Sequence, residues 1–78
     1  MANVVGPRVR EARYRDGRRV TQHELAARLQ TLGVDLGRTA ISKIESGRRP
    51  VTDREIAALC EALDVTPDWL FRRGATNF

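Results

Sequence analysis

The sequence predicts an all-α fold, a compact five-helix bundle, on three observations. Threonine caps open segments at Thr21, Thr52 and Thr66, apolar residues recur behind them at helical spacing, and Gly17, Gly33 and Gly47 punctuate the chain as terminators. The 78 residues hold one small domain, residues 1–78 with a core over about 7–71, near the lower limit of what a single core supports without staples.

Met1 to Val5 carry no cap and little polarity, and are expected to fray or to pack against a partner. Gly6 and Pro7 mark the first helix start, and the helix is expected to run to about Asp16 and stop at Gly17. Its apolar side is thin (Val9, Ala12 and Tyr14), so the neighbouring arginines must pack their stems or find partners. Arg18, Arg19 and Val20 then form a basic connection, with Val20 placed as a hydrophobic staple.

Thr21 and Glu24 have capping-box spacing and open the second helix, whose stripe is Leu25, Leu29 and Leu32 with Ala26 beside it. Gly33 ends it, Val34 pins the turn to the interior, and Asp35 or Gly37 caps the third helix. That helix has Ile41 and Ile44 as its narrow buried edge. Arg38, Thr39, Ser42 and Lys43 point outward with Ala40 near them, a small, polar and basic face suited to close approach to an anionic surface.

Arg48, Arg49 and Pro50 follow as a loop, either clamping phosphates or simply solvated. Thr52 and Glu55 open the fourth helix, with Ile56, Leu59, Cys60 and Leu63 as its core stripe and Val65 closing the connection. Thr66 and Pro67 begin a short fifth helix bearing Trp69, Leu70 and Phe71. Three successive large apolar residues cannot all face one core. Either some of them form a dimer contact, or Trp69 and Leu70 close the bundle while Phe71 packs on the terminal tail. Arg72 to Phe78 are expected to fray, with Phe78 able to dock.

A single cysteine, Cys60, within an apolar stripe excludes an intramolecular disulfide framework and reads as a small buried hydrophobe. With one histidine there is no Cys/His zinc cluster, and neither metal nor cofactor is expected. No 18-residue apolar run and no basic-then-apolar leader occur, so a cytoplasmic location is expected. The net charge is +4, but residues 1–49 hold eleven basic and five acidic side chains while residues 50–78 hold three and five. That asymmetry predicts one basic face for a polyanion, and the dominance of arginine favours bidentate contact to phosphate or guanine.

The residues TQHELAARL, AISKIESG and ALCEALDVTPDWLF resemble the helix-turn-helix domains of Cro and the phage repressors, the XRE family, over about residues 7–71, with the helix-turn-helix at about 21–47. The resemblance implies a five-helix bundle of the lambda-repressor-like type that binds double-stranded operator DNA as a homodimer, its third helix in the major groove. It implies base contacts from Arg38, Thr39, Ala40, Ser42 and Lys43, and backbone contacts from Gln22, Arg48 and Arg49, to which the basic connection adds Arg18 and Arg19. Arg13 and Glu45 resemble a family ion pair joining the first and third helices. The Leu29 to Ile41 stretch is longer than the family's usual spacing, so the second helix gains a turn or the turn opens into a loop.

The expected function is therefore a sequence-specific transcriptional regulator, a repressor, bound to an operator of twofold symmetry. The alternative is a protein-interaction module, such as an antitoxin or accessory factor, using the fifth-helix aromatics. An enzyme is not expected: His23 is the sole histidine, in a helix's first turn where it suits solvent or phosphate better than base catalysis.

Overall fold

The computed structural model describes residues 5–72, and in it five α-helices follow one another: α1 (Gly6–Arg13), α2 (Gln22–Thr31), α3 (Arg38–Glu45), α4 (Asp53–Leu63) and α5 (Pro67–Phe71). A 3-10 turn at Arg15–Gly17 lies between α1 and α2. α1 and α2 each pack against both α3 and α4, and α5 closes the bundle against α1 and α4. The expectations for residues 1–4 and 73–78, Phe78 included, lie outside the described residues. Val5 belongs to the core instead of fraying; its carbonyl accepts the Val9 N–H at 2.8 Å and starts α1.

Threonines set the helix starts. Thr52 and Glu55 form a complete capping box: Thr52 Oγ1 accepts the Glu55 N–H at 3.2 Å, and Glu55 Oε1 accepts the Thr52 N–H at 3.0 Å. Thr66 caps α5 by accepting the Trp69 N–H at 3.0 Å. At α2 only half of the box forms. Thr21 accepts the Glu24 N–H at 3.0 Å, but the Glu24 carboxylate turns one helical turn onward to the Arg28 guanidinium, 2.8 Å away, an ion pair in place of the reciprocal bond from the Thr21 N–H.

α1 stops at Arg13, three residues before the expected end. The chain must return to Arg13: the Val20 N–H donates to the Arg13 carbonyl at 2.9 Å, and the Arg13 guanidinium donates to the Val20 carbonyl at 3.0 Å. The reversal passes through Asp16 and Gly17, both at positive φ (+56° and +75°). It leaves Tyr14 48% exposed, correcting its expected place on the apolar side of α1.

α2 ends in a Schellman motif. Gly33 has φ +81°, its N–H donates to the Gln30 carbonyl at 3.0 Å, and the Val34 N–H donates to the Leu29 carbonyl at 2.9 Å. The longer spacing to α3 is absorbed as a loop, residues 32–37, held down by buried Val34 and by buried Leu36, which the sequence reading did not assign. The loop ends at Gly37, the N-cap of α3. The same motif ends α3: the Gly47 N–H donates to the Ile44 carbonyl and the Arg48 N–H to the Lys43 carbonyl, at 3.0 and 2.9 Å. α4 ends with Asp64 in the left-handed region, φ +57°, where glycine is the usual occupant.

The core gathers Val9 and Ala12 from α1, Leu25 and Leu29 from α2, Ile41 and Ile44 from α3, Leu59, Cys60 and Leu63 from α4, and Leu70 from α5. Leu32 and Ile56 pack at its margin.

Candidate nucleic-acid interface

The spacing of Ile41 and Ile44 turns α3 so that both are fully buried while Arg38, Thr39, Ser42 and Lys43 are exposed. Ala40 lies between the two sides: it is half-buried against the core and also borders the basic depression formed by its neighbours. The Schellman bond from Arg48 to Lys43 folds the outgoing loop back toward α3. As a result Arg38, Thr39, Lys43 and Arg48 line one shallow depression together with His23 from α2 and Arg49. Its lining carries four cations, Arg38, Lys43, Arg48 and Arg49, and no carboxylate among the described residues. A second depression joins Gln22 to Arg38, Ser42 and Lys43.

The one carboxylate of α3, Glu45, is turned away from this face. Arg13 of α1 grips it with a two-pronged pair, Nε to Oε2 at 2.7 Å and Nη2 to Oε1 at 3.0 Å, with side chains only 6% and 7% exposed. The bond to Glu45 raises the Arg13 pKa against the opposing effect of burial, so the guanidinium stays charged. Gln22 donates to Glu45 Oε1 at 3.2 Å, which ties the first turn of α2 to the same carboxylate and fixes the side-chain amide. One cluster thus joins α1, α2 and α3 behind the exposed face.

Other arginines are engaged by groups of the chain itself, among them Arg18 and Arg49, for which phosphate contacts were expected. Arg18 was expected on phosphate; its guanidinium instead donates to the Leu63 carbonyl at 3.2 Å, at the end of α4. Arg28 donates to the Ala62 carbonyl at 3.0 Å and Arg15 to the Asp64 carbonyl at 3.3 Å. Three guanidiniums, two from the connection between α1 and α2 and one from α2, therefore meet the carbonyl end of α4, where orphan acceptors and the helix dipole both favour cations. Arg49 borders the basic depression, but both its terminal nitrogens are held by Glu55 at 3.0 Å and one also donates to the Pro50 carbonyl at 2.8 Å. The same pairing lowers the Glu55 pKa below the usual carboxylate range. Arg48 is exposed, with Nε on Ser46 Oγ at 3.2 Å, and Arg19 is exposed in the connection before α2.

The aromatic end is divided. Leu70 is fully buried and closes the core, so it is unavailable to a second copy; this corrects its assignment to a dimer contact. Trp69 is half-buried beneath Arg8, whose guanidinium lies 3.5 Å from the ring centroid and donates to the Trp69 carbonyl at 2.8 Å. Phe71 is 50% exposed. Sequence reasoning passed over Arg8: its partner lies sixty-one residues away and nothing local announces it.

Among the described residues no helix is long and apolar enough to cross a membrane, and no group of three His, Cys, Asp or Glu is placed to hold a metal ion. Compared with known proteins, residues 12–70 match the helix-turn-helix family model, from the end of α1 to α5. No curated protein and no solved structure gives a match. With an all-helical bundle, a match across most of its length and a basic, outward-facing α3, the chain belongs to the helix-turn-helix family of the Cro and phage-repressor type, and is a DNA-binding domain of that family.

Proposed function

We propose that the protein is a sequence-specific transcriptional regulator, acting as a repressor, that binds operator DNA as a homodimer with α3 in the major groove. The supporting observation is the outer face of α3: Arg38, Thr39, Ser42 and Lys43 are exposed and continuous with Arg48, while Glu45 is withdrawn into its pair with Arg13. Arg38 and Lys43 suit the guanine acceptors, Thr39 and Ser42 supply short donors and acceptors, and Ala40 contributes at most its methyl edge. Arg48, Arg19 and the anchored amide of Gln22 are assigned to the DNA backbone, where they add salt-dependent affinity without sequence information.

One such unit reads few base pairs, and a twofold dimer with half-sites about 34 Å apart supplies the rest. The contact for a second copy is assigned to the α1 and α5 surface, where Tyr14 and Phe71 are exposed and the rim of Trp69 shares a depression with Pro7, Arg10 and Arg15. The same exposed aromatics favour the second reading, a module whose main partner is another protein.

A gel shift on DNA upstream of the chain's own gene, at two salt concentrations and with scrambled competitor, tests the regulator reading. A specific regulator retains its operator complex against the competitor at the higher salt. Equal loss on both duplexes would leave a nonspecific basic domain, and no binding at all would favour the protein-interaction module.

A further inference from the structure

Arg49 is placed to look like a phosphate clamp and is not built like one. It follows Arg48, borders the depression lined by Arg38 and Lys43, and keeps its charge. Yet its Nη1 and Nη2 are each 3.0 Å from a different oxygen of Glu55, the geometry in which a guanidinium presents its paired donors to a single carboxylate. A phosphate seeking that edge would displace Glu55, and Glu55 is itself occupied. Its Oε1 also accepts the Thr52 N–H at 3.0 Å and so completes the cap of α4.

The loop between α3 and α4 is therefore held at both ends. At its start, the Arg48 N–H is bound to the Lys43 carbonyl; at its finish, Arg49 is bound through Glu55 to the first turn of α4, with the Pro50 carbonyl 2.8 Å from the same guanidinium. Arg48 carries the first of these attachments and immediately precedes the second, with its side chain exposed beside Lys43. By charge alone, a carboxylate at the edge of a surface that meets a polyanion weakens binding. By geometry, this one holds in place the loop that presents a cation.

We infer that geometry prevails: Arg49 and Glu55 are positioning residues for DNA binding, fixing residues 48–52 so that Arg48 stands beside Lys43, and Glu55 strengthens DNA binding despite its negative charge. The inference rests on the DNA-binding reading above. It predicts an effect of opposite sign to simple electrostatics, because neutralising Glu55 should weaken the complex.

The test is fluorescence anisotropy of the full chain on a labelled duplex of roughly 20 base pairs, about two turns of B-DNA, across a salt series. Glu55→Gln keeps an acceptor for the Thr52 cap, since glutamine serves at that position of a capping box, while losing the charged fork partner. Arg49→Lys keeps both the charge and Glu55 but cannot form the fork. Each variant is expected to bind about three- to tenfold more weakly with the salt slope of the parent, as expected for a contact loop that must be ordered on binding. Arg48→Ala, by contrast, should lower the slope by about 0.9 for each protomer bound.

Tighter binding by Glu55→Gln with a steeper salt slope would overturn the inference and make Arg49 a phosphate contact that Glu55 masks. Unchanged affinity in Arg49→Lys would overturn it equally, and that variant decides the matter if Glu55→Gln lowers the folded fraction. A parent chain that binds no duplex would refute the DNA-binding reading and this inference with it, whereas a binding parent with the wrong sign at Glu55 would refute the inference alone.

Discussion

Glu45 shows how one side chain serves the interface without touching it. Removing its carboxylate leaves the Arg13 guanidinium buried without a counter-charge, with the Val20 carbonyl and the Tyr14 side chain beside it, and frees the Gln22 amide. Breaking one side of a buried pair costs about 3–5 kcal/mol, so Glu45→Ala should lower the melting temperature by roughly 15 °C or more in a domain of this size. An unchanged thermal transition would show that the pair contributes nothing to the fold. Glu55 makes a pH-dependent contribution. Its pKa is depressed in the folded state by its bonds to Arg49 and Thr52, so the unfolded chain binds more protons in the acid range. The stabilisation is full above the ordinary carboxylate value of about 4.3 and is lost as pH falls through the lower folded value. Urea titrations should show wild type losing stability below about pH 4 more steeply than Glu55→Gln, whereas parallel curves would remove Glu55 from the acid response. Residue roles were legible where their cause was local, as with Thr52 and Glu55. They were not legible for Arg8, Arg18 and Arg28, whose carbonyl partners lie 34 to 61 positions away.

The elements repeat one termination motif with unequal residues. Gly33 and Gly47 occupy the left-handed position after α2 and α3, but after α4 it is held by Asp64, a residue with a Cβ and a negative charge at the negative end of the helix dipole. Asp64→Gly should therefore stabilise the protein by about 0.5–1 kcal/mol, since the relief of the left-handed strain and of the charge outweighs the added freedom of the unfolded chain. A fall in the denaturant midpoint would mean that the Asp64 side chain has a favourable role that outweighs this strain. The starts of α2, α4 and α5 could be read from threonine spacing because a cap is written within four residues. The end of α1 could not, because it is set by the return of Val20 to Arg13. Leu36 escaped for a related reason: a lone apolar residue in a loop has no periodic neighbours, and only the packed structure shows that it pins the longer connection.

At the scale of the whole molecule, charge is sorted by the fold more than by the chain's halves. Many arginines bind carbonyls or carboxylates of their own chain, so the basic surface offered to a polyanion is smaller than the composition suggested and is centred on Arg38, Lys43 and Arg48. Tyr14 and the rim of Trp69 border one depression between α1 and α5, and Phe71 is half exposed on α5. If that surface joins two copies, Phe71→Asp should shift a micromolar dimer to monomer in sedimentation while the chain keeps its helical circular dichroism; an unaltered dimer would move the contact elsewhere. The central claim is that the outer face of α3 reads sequence. Its most direct test is the affinity of Arg38→Ala for operator and for scrambled DNA under the same salt. The predicted result is a loss on the operator of about 1–3 kcal/mol for each half-site contact, with preference relaxed at one base pair and little change on scrambled DNA. An equal loss on both duplexes would contradict it.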